Sequence, residues 1–528
     1  MATRTLTVYN AVMVSRPRAL ESSLSRALPL YLGIALGWFL LWRLGGALVL
    51  DGKVEGYSWV DYLNNAWAVA TQNAGRMDAF RTPLHGALVA LVGTPLHSYI
   101  NGAIVVAGLS AGAWVVAAAL SARALAGPWA GGVAAVALPL GAHAADAARH
   151  ANNYPLLGAA TGLNLAAGLL FVSGPSRLRA AALGLSTAFA LAVDARGLVA
   201  LPILALALLL DPARRRLPRV VLALALAALG PAVAPALGQR RALDASAQQA
   251  IQRGVVERFD AFTEDPTLVT ACSQAPAALT LAAFTSPCAQ ARIAYNLRRS
   301  VTRHLTWGPA ATLLGLGALA LNRRDPDGRR RSLLLFLGGG GPLLALLAMT
   351  PMVDRYWIQF IVLQAILAPA GLARLLRGSP PWLGPLALLA ALGWTVQADP
   401  TRRHDPTILD QNLDKAASPA IIAAVAARIG PDDAFFDCST HHVSQGLLPL
   451  HVPFSGLPAF PLPEGHRCVD WLRAPPGQGT AWIGLSPTRK LALIAGQPPS
   501  GPLTGMAEAG WVLDWTARDF ELWRLHRP

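Results

Sequence analysis

Long apolar runs, separated by short polar or basic connections, organise most of this chain. They cover Leu28–Leu50, Tyr99–Leu120, Pro128–Leu140, Pro155–Val172, Ala180–Val193, Leu198–Leu210, Val220–Leu237, Trp307–Leu321, Leu333–Met352, Tyr356–Leu372 and Trp382–Val396. A transmembrane helix needs about 20 apolar residues to cross about 30 Å of hydrocarbon. The shorter runs must therefore draw on flanking small residues or on local thinning of the bilayer. The pattern predicts an α-helical polytopic membrane protein with about eleven transmembrane helices. Leu28–Leu50 is too long for a signal peptide and lacks a clear small-residue cleavage site, so it reads as an uncleaved anchor.

The charges lie between the runs, and their distribution predicts an orientation. Arg123, then Arg177 and Arg179, then Arg214, Arg215, Arg216 and Arg219 fall in alternate connections. Arg323, Arg324, Arg329, Arg330 and Arg331, and finally Arg374 and Arg377, continue the series. All belong on the side of the N-terminal segment 1–26, which carries Arg4, Arg16, Arg18 and Arg26. The positive-inside rule makes that side cytoplasmic. The body of the protein is then a transmembrane domain over 27–396, with outer loops at 51–96 and 238–303. Within the second loop, Ser246–Phe262 has helical spacing. Beyond it, 397–528 is expected to be a small periplasmic α/β domain. There Pro419–Ile429 reads as a helix, and Ala434–Cys438, Thr480–Leu485 and Gly510–Leu525 read as strands, the last folding back at Thr516–Asp519 as a hairpin.

Composition narrows the class. Hydrophobic residues make up 54% of the 528 positions and charged residues 14%, against about 25% charge in a soluble domain. The net charge of +15 could point to nucleic acid. A nucleic-acid binder, however, gathers its basic residues on one face beside polar or aromatic readers, and here they are scattered in short clusters. The Ala, Leu, Gly and Arg bias reads as GC-rich bacterial coding and has no functional content of its own; the expected location is a bacterial inner membrane. All four cysteines, Cys272, Cys288, Cys438 and Cys468, stand outside the apolar runs and on the predicted oxidising side. Disulfides Cys272–Cys288 and Cys438–Cys468 are the simplest pairing, and neither pair has zinc-site spacing.

Several outer segments hold residues able to do chemistry, and each has a structural alternative. Asp51 directly follows the first run, and Asp61 opens a stretch from Tyr62 to Gln72 with the spacing of an interfacial helix. Asp61 either caps that helix or is a boundary carboxylate that takes a proton or anchors an acceptor. His85 closes the same loop and is a further binding candidate. In the second outer loop, Arg149 and Asn153 crowd a helix entrance ahead of Tyr154 and Pro155; Arg149 could meet an anion or merely solvate a turn. Asp194-Ala195-Arg196-Gly197 is a tight charged turn, either a self-satisfied ion pair or one that aims Arg196 at a cavity. Arg355 and Tyr356 begin another helix, either as interface residues or as a guanidinium for a lipid-linked phosphate. His441, His442 and His466 lack a carboxylate or third ligand at motif spacing, so no metal is assigned, although a divalent ion is left open.

In the order and spacing of these motifs the chain resembles the GT-C superfamily of membrane glycosyltransferases. It is most similar to bacterial relatives of protein O-mannosyltransferases and to aminoarabinose transferases. Asp61-Tyr62 with Ala68, Gly75, Pro83 and Leu84 resembles the family's acidic first-loop motif and the helix after it. Ala148-Arg149, followed by Asn153 through Leu156, resembles the second-loop stretch before the fourth helix. Asp194–Gly197 with Pro202, and Arg355-Tyr356 with Pro369, resemble the basic turn before the sixth helix and the Arg-Tyr stretch. The resemblance covers about residues 28–400. It implies a cavity at the outer membrane boundary and a sugar donor on polyprenyl phosphate. Transfer with inversion to an acceptor outside the cytoplasm follows, with no cofactor. Asp61 would be the catalytic carboxylate, with Asp51 as fallback, and Arg355 would hold the donor phosphate, with Arg196 as a second candidate. One departure matters: Asn153 stands where many relatives carry a carboxylate. The rival expectation is a non-enzymatic membrane protein, either a transporter of lipid-linked glycans or an inactive member of the fold.

Overall fold

The computed structural model describes residues 27–40, 65–66, 68–72, 82–96, 99–140, 153–211, 217–237, 266–272, 286–299, 326–349, 358–376, 419–430, 433–438, 480–485, 510–517 and 520–525. Helix α1 is Ala27–Leu40. It is followed by α2 (Pro83–Gly93), α3 (Tyr99–Ala126), α4 (Pro128–Leu140), α5 (Tyr154–Ser173) and α6 (Arg177–Val193). A short 3-10 turn, Ala195–Val199, leads into α7 (Ala200–Leu209), α8 (Leu217–Ala227) and α9 (Leu229–Ala236). Next come α10 (Pro266–Cys272), α11 (Pro287–Arg299) and α12 (Pro326–Leu333), which passes through a π-helical turn, Leu334–Gly340, into α13 (Gly341–Met349). Helix α14 is Ile358–Leu375 and α15 is Pro419–Ala426, ahead of strands β1 (Ala434–Cys438), β2 (Ala481–Leu485), β3 (Val512–Ala517) and β4 (Phe520–Leu525).

Helices α3 and α5 form the centre of a bundle. Helix α5 is apolar throughout and buried along almost its whole length, from Tyr154 to Val172, as expected of a helix enclosed by other helices. One core joins Trp114 and Leu125 of α3, Leu165 and Phe171 of α5, Ile203 of α7, Leu334 of the π turn and Val362 of α14. Lipid tails are as apolar as leucine, so association within a membrane depends on close packing. Small residues supply it here. A Cβ added at Gly102 would lie 2.6 Å from the Gly93 Cα, and one at Gly184 would lie 2.5 Å from the Ala223 carbonyl oxygen. The outside of the bundle carries leucines in the open, among them Leu178 at 81% and Leu209 at 70% exposure. Large exposed apolar surfaces of this kind face lipid. Among the described residues, Gly102–Ala126 and Tyr154–Ser173 are long and apolar enough to cross a membrane, and several shorter apolar helices accompany them.

One end of the bundle is basic, for a physical reason. The last carbonyls of a helix have no partner within the helix and carry the negative end of its dipole. Arg179 donates to the carbonyls of Leu170 (3.1 Å) and Gly174 (2.8 Å) where α5 ends. Arg331 donates to the Ala124 carbonyl near the end of α3. At the ends of α7 and α8, Arg219 pairs with the buried Asp211 at 2.8 Å. The start of α5 is therefore at the opposite end, and the functional residues described below gather there.

Three local features differ from the sequence reading. The apolar run Val220–Leu237 is broken at Ala228 into α8 and α9, with Pro235 inside the second piece. Leu333–Met352 contains the π turn over a glycine run just ahead of Pro342; the wider turn accommodates a residue that cannot donate to the helix ladder. The stretch expected to lie along the interface from Tyr62 to Gln72 is helical at 65–66 and 68–70, but Asn65, Ala66 and Ala68 are buried. Asn65 packs on Gly86 of α2, a helix within the segment 51–96 that the sequence presents as a loop. That cover of neighbouring protein, invisible to periodicity, removes the face from solvent.

The Cys272–Cys288 disulfide forms, tying α10 to α11, and Asn296 of α11 donates to the Leu347 carbonyl of α13 at 2.8 Å. The partner pair Cys438–Cys468 lies outside the described side chains. The four strands make one sheet in the order β1-β2-β4-β3, parallel between β1 and β2 and antiparallel elsewhere. Ile421 and Val425 of α15 pack with Phe435, Trp482, Phe520 and Leu522 of the sheet. Asp433 ties helix to sheet by accepting from the Gly430 amide (2.8 Å), the Thr480 amide (3.2 Å) and the Trp482 indole (2.9 Å).

Candidate functional site

Four segments meet at the end of the bundle away from the arginine-capped termini: the starts of α2, α5 and α14, and the turn from α6 to α7. Leu84 and Leu88 of α2 pack with Leu156 and Leu157 of α5 and with Val193 of α6. Thr82, just before α2, donates its hydroxyl to the Val193 carbonyl where α6 ends. Asn153 occupies the N-cap of α5; its backbone carbonyl accepts from the Leu157 amide at 2.8 Å, but its side chain makes no bond to that helix, where Pro155 has no amide hydrogen to offer. The Asn153 side-chain amide instead donates to Asp194 Oδ2 at 2.7 Å.

Asp194 organises the turn. Its Oδ1 accepts the Arg196 backbone amide (2.9 Å) and Arg196 Nε (2.7 Å), and its Oδ2 accepts Arg196 Nη2 (2.9 Å) besides Asn153. A carboxylate offers about four lone-pair positions, and all four are engaged. The pair is a two-point guanidinium–carboxylate contact, the geometry in which arginine differs most from lysine. The Arg196 guanidinium also lies 4.7 Å from the centre of the Tyr154 ring. Its side chain keeps 20% exposure and that of Asp194 10%, so the cation is the outer member. Gly197 is required by close approach: a Cβ there would run into the Ala190 carbonyl. Finally, Gln359 in the first turn of α14 donates to the Thr161 hydroxyl (3.1 Å) and to the Arg196 carbonyl (3.4 Å).

Of the residues singled out in the sequence, Arg196 and Asn153 are brought into one cluster, and His85 is fully buried in the first turn of α2. At Asp194–Gly197 the ion pair forms, with a further partner in Asn153 that spacing could not reveal, and the Arg196 side chain keeps part of its surface exposed. Asp51, Asp61, Arg149, Arg355 and Tyr356 lie outside the described residues. Sequence reasoning passed over Gln359 and Thr161. Gln359 did leave a signal, as an amide near the start of an otherwise apolar run. Among the described residues no group of three or more His, Cys, Asp or Glu could hold a metal.

The fold is shared with a solved membrane protein. The chain superposes on ArnT from Cupriavidus metallidurans bound to undecaprenyl phosphate with a TM-score of 0.57 and 13% identity, over 94% of this chain and 97% of that one. Against the apo state of the same protein the TM-score is 0.54 and the identity 14%, over 93% and 98% of the two chains. The oligosaccharyltransferase AglB from Archaeoglobus fulgidus, in complex with an inhibitory peptide and a dolichol-phosphate, gives a TM-score of 0.46 and 10% identity, over 80% and 64%. No family model matches the chain, and no curated protein matches it by sequence. The resemblance read from the motifs therefore holds at the level of the fold.

Proposed function

We propose that this chain is an integral membrane glycosyltransferase that moves a sugar from a polyprenyl-phosphate donor to an acceptor outside the cytoplasm of a bacterium. The observation that carries the reading is the convergence of the α2, α5 and α14 starts on the Asp194–Arg196 turn. Asp61 stands four residues before Asn65 in the chain, and Arg355 four before Gln359. Asn65 packs on α2 and Gln359 reaches Arg196, which supports a shared site for the two at that end. The fold held in common with a protein crystallised with undecaprenyl phosphate supports a lipid-phosphate donor.

In this reading Asp61 accepts the proton of the acceptor's nucleophile as it attacks the anomeric carbon, with Asp51 the fallback. The bond from that carbon to the phosphate oxygen breaks, and polyprenyl phosphate leaves with the electron pair. Charge builds on the phosphate as it departs. Fixed guanidinium groups in a poorly hydrated site stabilise that charge without reorganising, a role for Arg355 and Arg196. Arg149 and Tyr356 complete the binding surface, Asn153 acts through Asp194, and residues 397–528 form a periplasmic domain; His85, expected there from the sequence, is fully enclosed and takes no part in that surface.

A transporter would carry ionisable groups deep inside its helices. The described ion pairs Asp194–Arg196 and Asp211–Arg219 sit at helix ends instead, which favours the transferase. Transfer should be measured in membranes supplied with lipid-linked sugar. Asp61→Asn is expected to insert normally and to abolish transfer, and a correctly inserted, fully active variant would remove the assignment. Envelope glycans and lipid-linked sugars compared in cells with and without the gene would identify donor and acceptor.

A further inference from the structure

We propose that Asp194 is a positioning residue that holds Arg196 as a preset cation for the phosphate of a lipid-linked ligand, and that Asn153 is the second support of that arrangement. The proposal rests on the transferase reading and assigns the α6–α7 turn its part in it.

Asp194 is a carboxylate at the rim of a candidate site, and two roles are open to such a group. It could exchange a proton or bind an acceptor directly, or it could serve a neighbour. The geometry selects the second. Each Asp194 oxygen already receives two donors, from the Arg196 amide, Arg196 Nε, Arg196 Nη2 and Asn153 Nδ2, all between 2.7 and 2.9 Å. Three of those four donors come from Arg196 itself, so the carboxylate fixes both the backbone and the side chain of that residue. Tyr154 supports the guanidinium from its face at 4.7 Å. Gln359 holds the Arg196 carbonyl from a third helix at 3.4 Å. An arginine ordinarily loses rotamer freedom on being fixed. Here that loss is met on folding, so a ligand anion would not have to meet it again on binding.

Asn153 acquires a meaning that the sequence did not supply. In this chain the position supplies a donor, and the carboxylate it serves comes from the end of the next helix, at Asp194.

Full-length protein in detergent should be titrated with undecaprenyl phosphate and, as an uncharged control, undecaprenol. The wild type is expected to prefer the phosphate. Asp194→Asn is expected to weaken phosphate affinity about tenfold while leaving undecaprenol binding unchanged, and Asn153→Ala should weaken it about threefold with the same selectivity. Removing the Asp194 charge would by itself strengthen attraction for an anion, so a fall reports lost geometry. Unchanged or tighter phosphate binding overturns the proposal, as does an equal loss for both lipids, which marks a merely structural role. The pH–rate profile of transfer by Asp194→Asn should keep the wild-type shape, and loss of a limb would make Asp194 a titrating participant instead. Asn153→Ala carries the test if Asp194→Asn does not fold. A wild-type protein with no preference for the phosphate would take down the transferase reading as well. Selective loss in Arg196→Ala without loss in Asp194→Asn would sink this inference alone.

Discussion

Asp194, Arg196 and Gly197 show how much a few atoms decide at the residue scale. The turn needs a side chain that accepts from its own backbone two residues on, a cation able to grip that side chain at two points, and then a residue without a Cβ. Gly197→Ala pushes a methyl group into the Ala190 carbonyl. It should cost about 1–3 kcal/mol, the range for overpacking, read as a lower thermal midpoint of the detergent-solubilised protein. At the other end, the Asp211 side chain is fully buried and the Arg219 side chain keeps 16% exposure. Asp211→Ala should cost about 1–3 kcal/mol, below the 3–5 kcal/mol of a completely buried pair, because Arg219 can reach toward water. A thermal midpoint unchanged within error would show that the carboxylate contributes nothing to that helix end.

At the scale of elements, the question is what joins helices that already lie in an apolar medium. Helices α5 and α6 are bridged by Asn164, whose amide reaches Thr187 (2.8 Å) and Ser186 (3.3 Å). Hydrogen bonds between membrane helices average about 0.6 kcal/mol and reach about 1.7. Asn164→Leu is therefore expected to be only mildly destabilising, and a collapse of expression would mean that this amide does more than bridge. Helices α10 and α11 depend on a covalent link. The Cys272–Cys288 bond spans a sequence separation of 16, and in the chain-entropy model such a closure stabilises by about 3 kcal/mol. Reductant should lower the thermal midpoint of the wild type and leave the Cys272→Ser/Cys288→Ser protein unmoved; equal sensitivity of both would refute the contribution.

Across the whole molecule the governing asymmetry is electrical. Arginines cap the closing turns of α3 and α5 at one end, and the Asp194–Arg196 cluster lies at the other. If the arginine end is cytoplasmic and the apolar run Trp382–Val396 crosses the membrane as expected from the sequence, the segment from 397 onward faces outward. Protease added to spheroplasts should then remove a tag at the C-terminus and spare one at the N-terminus. Protection of the C-terminal tag would invert the orientation and detach Asp61 and Arg355 from an outer site.

The sequence by itself determined the helical, membrane-embedded class, the segments that became strands, the Cys272–Cys288 pairing and the likeness to a superfamily fold. Each is a property of local composition or of motif order. Apolar length reports lipid, alternation reports strands, and the cysteines were the simplest pair within one predicted outer segment. The tertiary structure alone decided that Asn153 serves Asp194, that Gln359 reaches Arg196 from another helix and that Asn65 is covered by α2. These partners stand 41 and 163 positions apart for the first two contacts. No periodicity encodes a contact across such a distance. A polar residue beside an apolar run has the same pattern whether it meets water or a neighbouring helix, and only the packing of α2, α5, α6 and α14 selects between them.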